Sequence, residues 1–125
     1  MQETVLYFGI FFGALAITFG AFGAHLLKKY MSPELLVSFE TGVRYQMYHA
    51  LLLVGLSNFL DFNNVYSSYS CYLIIIGVFL FSFSIYGLCL SSTFGKKIKI
   101  LGPITPLGGL CLLAGWIFLL LASFN

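Results

Sequence analysis

The chain has 125 residues, of which 60% are apolar and 8% charged, with a formal net charge of +2. Soluble domains run near 45–50% apolar and about 25% charged, so this composition excludes a water-covered globule and calls for lipid as solvent. The length allows one domain, and no basic run or aromatic-basic interleaving suits nucleic acid.

The first apolar segment runs from about residue 4 to 27 and stops at Lys28 and Lys29. Ala21-Phe22-Gly23-Ala24 has the small residues of a signal cleavage site. The start, Met1-Gln2-Glu3-Thr4, carries no Lys or Arg, and the apolar run exceeds a signal core of roughly 7–15 residues, so a retained span is expected. Ser32-Pro33-Glu34 reads as a helix start: Ser32 can cap, Pro33 suits the first helical position, and Glu34 favours the positive end of the dipole. Leu35, Leu36, Phe39 and Val43 follow at helical spacing as an interfacial lead-in to a second span, from about 43 to 60. Asp61, Asn63 and Asn64, with Ser67 and Ser68, form a polar turn.

A third span runs from about 69 to 90, broken by Ser91, Ser92, Thr93 and Gly95 before Lys96, Lys97 and Lys99. The fourth runs from about 103 to 124. In Gly102-Pro103-Ile104-Thr105-Pro106 each proline lacks an N–H and disfavours helix in the residue before it. Thr105 as cap and Pro106 as first helical residue is the expected solution, with Pro103 in an extended lead-in. The reading is an all-α integral membrane four-helix bundle, one transmembrane domain over residues 1–125 without an internal repeat.

All six basic residues fall in or beside two loops, at Lys28, Lys29 and Arg44 and at Lys96, Lys97 and Lys99. Four spans put both loops on one face, and the other face holds only Glu3 and Asp61. The positive-inside rule makes the basic loops cytoplasmic and both termini external, in a cell membrane of bacterial inner-membrane type.

Gly9 and Gly13, then Gly20, Ala21, Gly23 and Ala24, and in the last segment Gly108, Gly109, Ala114 and Gly115, form small-residue patterns that let helix backbones approach. Packing inside the bundle is the first reading and a homo-oligomer face the second. Cys71, Cys89 and Cys111 lie singly in apolar segments and read as small buried hydrophobes.

The polar residues in the spans carry more information. His25, Glu40, Thr41, Arg44, Tyr45, His49, Ser82, Tyr86 and Thr105 all lie in the half of the bundle beside the basic loops. Glu40 and Arg44 are four apart and are expected to pair near the interface. His49 would sit roughly 6–8 Å inside the second span, at a level His25 and Tyr86 can share, so one cluster of His25, Tyr45, His49 and Tyr86 is expected. Such groups in hydrocarbon either form a hydrogen-bonded structural plug or line a small site. His25 and His49 alone make a poor metal or haem pair, and no nucleophile, base and orienting group stand together. No catalytic residue, metal or cofactor is assigned.

Gly20-Ala21-Phe22-Gly23-Ala24-His25, Thr41-Gly42, Tyr45-Gln46 and His49, Ser82, Ser84 and Tyr86, Thr105-Pro106-Leu107-Gly108-Gly109, and Ala114-Gly115-Trp116 together make a pattern. In it the chain resembles the family catalogued as domain of unknown function 423, which in eukaryotes resembles transmembrane protein 256. It departs from the pattern at Phe83, where a glycine is expected. The resemblance implies a multi-pass membrane protein and carries no activity with it.

The expected function is a structural or accessory membrane component, acting by helix packing with itself or with a larger membrane complex in the bilayer, and not an enzyme. The alternative is a binder or transporter of a small polar or amphipathic ligand, using the polar cluster.

Overall fold

The computed structural model describes all 125 residues, which form four helices joined by short turns: α1, Gln2–Leu27; α2, Pro33–Phe59; α3, Val65–Phe94; and α4, Leu101–Ser123. There is no strand, and α1 and α3 each contain a π-helical stretch, Thr18–Gly23 and Phe79–Phe83. The helices α1, α3 and α4 are long and apolar enough to cross a membrane. Helix α2 has 27 residues but carries Glu34, Glu40, Arg44, Gln46 and His49. The fold is an all-α membrane helical bundle with one polar member.

Local chemistry sets the boundaries. The Ser32 hydroxyl oxygen accepts the Leu35 N–H at 3.3 Å, and Pro33 is the first residue of α2. The lead-in and the second span are therefore one continuous helix. Its first turns pack into the bundle, because Phe39 is buried with Ile85 and Tyr86, and the Cys89 thiol donates to the Leu35 carbonyl at 3.4 Å. The turn before α3 is shorter than expected. Asn64 caps α3 by accepting the Tyr66 N–H at 2.9 Å, which draws Ser67 and Ser68 into the helix.

The start of α4 corrects the sequence expectation. The helix begins at Leu101, and both prolines are helical. Pro103 falls in the first turn, where an N–H has no acceptor within the helix, so its missing donor costs little. Pro106 withholds the donor that Gly102 would have received. Thr105 does not cap; its hydroxyl donates back to the Leu101 carbonyl at 3.4 Å.

Packing joins α1 to α2 and α3 to α4 as antiparallel hairpins, with α2 and α3 in contact between them. Glycines set each register. A Cβ on Gly9 would lie 3.0 Å from the Val54 nitrogen, one on Gly115 3.2 Å from the Ser70 carbonyl, and one on Gly108 2.3 Å from the Phe81 nitrogen. Gly42 lies under the Tyr86 ring, and Gly20 against Val43. These small residues are consumed inside the bundle, where they replace the absent hydrophobic drive with close van der Waals contact. Cys71 and Cys89 are buried free thiols, as expected, whereas Cys111 is only half-buried. Phe83 packs on Phe79 and Tyr86; the tight backbone approach occurs at Phe81 instead.

The glycine at 108 can be tested against one that packs on nothing. Gly108→Ala should lower thermal stability in detergent by about 1–3 kcal/mol, because backbone must move to admit the methyl. Gly55→Ala, with nothing within 4 Å of its Cβ, should be neutral or slightly stabilising. Equal midpoints for the two variants would contradict this packing.

Candidate functional site

Depth is fixed by the helix contacts. Val43 of α2 packs on Gly20 of α1, a little over two turns before Lys28. The middle of α2 thus lies roughly 12 Å inside the level of the first basic loop. At that depth a polar atom needs a protein partner.

The inner side of α2 supplies partners to all three other helices. Gln46 is fully buried; its amide nitrogen donates to the Phe12 carbonyl at 2.8 Å, and its oxygen accepts the Tyr86 hydroxyl at 2.7 Å. One side chain thereby ties α1, α2 and α3. The Ser82 hydroxyl donates to the Gly42 carbonyl at 2.7 Å, a second tie between α2 and α3. His49, also buried, faces α4. Its Nε2 accepts the Trp116 indole N–H at 3.2 Å, and its Nδ1 lies 2.7 Å from the Tyr45 carbonyl. With Nε2 accepting, the proton must sit on Nδ1 and point at that carbonyl, which fixes a neutral imidazole in one tautomer. Ser84 and Thr105 share a hydroxyl hydrogen bond of 2.6 Å between α3 and α4. Every buried side-chain nitrogen and oxygen has a partner.

The single cluster expected from sequence is divided. Tyr86 belongs with Gln46 and His49 with Trp116, one pair turned toward α3 and the other toward α4. His25 joins neither; it is exposed near the end of α1. Gly23 faces Phe39 of α2, and two residues further on a helix points away from that contact. Glu40 and Arg44 are both exposed and unpaired with each other. Arg44 instead donates to the Thr41 hydroxyl oxygen at 3.4 Å, while that hydroxyl donates to the Val37 carbonyl at 3.0 Å. Tyr45 is half-exposed against Tyr48 and Phe81. The site residues missing from the sequence-based set are Gln46, Ser84 and Trp116. Gln46 had a signal, an amide inside an apolar run; the other two become legible only when their partners are in place.

Two features remain open. One is the outer face of α2, where Val37, Glu40, Arg44, Tyr48 and Leu51 are exposed along one side. The other is a cleft of about 480 Å³ between α2, α3 and α4 at the basic-loop end, lined by Leu35, Ser38, Thr41, Ile85, Leu88, Cys89, Ser92, Lys97, Gly102, Thr105 and Pro106. No three His, Cys, Asp or Glu side chains converge as a metal site.

A family model described as protein of unknown function, DUF423, matches residues 19–109. Curated relatives extend the match. A UPF0382 membrane protein of Staphylococcus haemolyticus is 38% identical over 111 residues, 89% of this chain and 87% of its own. Another, from Schizosaccharomyces pombe, is 42% identical over 107 residues, 83% of this chain and 87% of its own. The UPF0382 inner membrane protein YgdD of Escherichia coli K12 is 32% identical over 122 residues, 97% of this chain and 89% of its own. No solved structure matches the chain.

The three-helix tie at Gln46 has a measurable coupling. Tyr86→Phe leaves the Gln46 oxygen without its donor and should cost about 0.5–2 kcal/mol in detergent unfolding. The same change in the Gln46→Leu background should cost clearly less. An equal cost in both backgrounds would show that the hydrogen bond contributes nothing to stability.

Proposed function

The chain belongs to the DUF423 family of membrane proteins, and from that footing we propose that it is an assembly component, a small bundle that docks through the outer face of α2 on a second membrane-embedded surface. The observation that carries this is Glu40 and Arg44, exposed within the bundle's depth on the helix least suited to lipid. An ionised side chain on a lipid-facing helix costs up to about 2.5–3.5 kcal/mol at the bilayer centre on insertion scales, and less toward the interface. A partner that pairs both charges removes that cost. Each charge is also free to pair outward, because Glu40 does not use Arg44 and Arg44 gives only a long bond to Thr41.

On this proposal all four helices span the membrane. The loops bearing Lys28, Lys29, Lys96, Lys97 and Lys99 face the cytoplasm, and both termini lie outside, as the one-sided basic residues favour. In a bacterium the membrane is the inner one, as the name of the Escherichia coli relative indicates for that protein. A second reading, a binder of a small polar or amphipathic ligand, is favoured by the cleft between α2 and α4.

The assembly role is tested by extracting the protein from native membranes in polymer-bounded lipid discs and measuring particle mass. The expected result is an assembly larger than one 13.9 kDa chain, which Arg44→Glu disperses. Adding Glu40→Arg to that variant should restore a self-assembly, where the charges are exchanged on both sides, and leave a foreign partner lost. Single-chain particles from wild-type membranes would overturn the proposal.

A further inference from the structure

The cleft at the basic-loop end has a chemistry of its own. Its volume of about 480 Å³ falls in the range of small-molecule sites. The walls combine an apolar floor, Leu35, Ile85 and Leu88, with a polar rim of hydroxyls and one ammonium, Lys97, and no acidic side chain lines it. The loop bearing Lys97 is held in place. The Ile98 N–H donates to the Ser91 hydroxyl oxygen at 3.2 Å, which keeps Lys97 beside Ser92 at the mouth. Thr105 is fixed by Ser84, so the hydroxyl wall from α4 is rigid too.

The opening is lateral. Ser38 on one lip and Pro106 on the other are exposed, and α2 and α4 are joined side chain to side chain deeper in the bundle, at His49 and Trp116. A site that opens sideways at the level of the basic loops faces the headgroup layer of one leaflet. A water-soluble anion would be served by the rim alone and would leave the apolar floor uncovered.

We propose that this cleft binds one anionic phospholipid, its phosphate at Lys97 and the hydroxyl of Ser92, with the start of an acyl chain on Leu35, Ile85 and Leu88. The proposal rests on the reading of the cleft as a binding site and is independent of the contact through α2's outer face. The head must be anionic because the sole charge on the wall is positive, and the ligand amphipathic because the wall is.

Purification from native membranes in mild detergent, followed by native mass spectrometry and lipid extraction, tests it. The wild-type chain should retain about one anionic phospholipid. Lys97→Gln should lower its occupancy about fivefold, as loss of one lysine near a lipid surface implies. Lys99→Gln, exposed and outside the cleft, should retain wild-type occupancy. Ser92→Ala should lower it without loss of thermal stability. Retention of a neutral lipid, or of a phosphate compound without an acyl chain, would overturn the lipid assignment and leave a binding site standing. No retained ligand of any kind would overturn both. Equal occupancy in Lys97→Gln and Lys99→Gln would overturn the placement of the phosphate.

Discussion

Hydrocarbon offers no partner to a polar atom, and the rest of this fold follows from how α2 meets that constraint. Three helices are apolar enough to be ordinary spans, and the fourth carries Gln46, His49 and three charged side chains, Glu34, Glu40 and Arg44, along its length. Its inner side solves the problem within the chain. Gln46 alone connects three helices, through the Phe12 carbonyl and the Tyr86 hydroxyl, and His49 reaches the fourth through Trp116. The polar side chains are therefore the cross-braces of a bundle whose helices have little hydrophobic reason to prefer one another over lipid. The outer side of α2 has no such solution within the chain, and that asymmetry supports an interface there.

The braces need close helices, and the glycines provide them. Gly42 admits the Tyr86 ring, whose hydroxyl then reaches Gln46 one turn along. Gly108 meets backbone at Phe81, inside the π-helical stretch that also turns Ser82 toward the Gly42 carbonyl. Small residue, short interaxial distance and cross-helix hydrogen bond form a single device, repeated at each interface. It also accounts for the fate of the small-residue patterns: Gly9, Gly108 and Gly115 are spent on internal contacts, which leaves charge, not a glycine stripe, as the feature that marks the outer contact.

Much of this was legible in the sequence. The composition required lipid, the cap at Ser32 and Pro33 fixed the start of α2, and polar residues concentrated in one half of the chain's spans. What sequence could not supply was rotation about each helix axis. His25 and Glu40 lie at a suitable level but on exposed sides, and His49 and Tyr86 share a level while pointing to different neighbours. The start of α4 escaped for a different reason. Two prolines read locally as breakers, yet the first falls where no donor is needed and the second removes a single bond, to the Gly102 carbonyl. Gln46 was visible as an amide in an apolar run, but its importance lies in partners 34 and 40 residues away in sequence.

The most direct measurement is the exposure of α2's outer face to lipid in a native-like bilayer. A nitroxide attached at Tyr48→Cys, in a chain whose three native cysteines are replaced by alanine, can be compared with one at Ile76→Cys on α3; the two native side chains are 58% and 49% exposed in the isolated chain. If the face is covered, the label at 48 is immobilised and shielded from oxygen dissolved in lipid, while the label at 76 moves freely and relaxes quickly. Equal oxygen accessibility at the two positions would mean that α2 faces lipid with its charges uncovered, and would contradict an interface there.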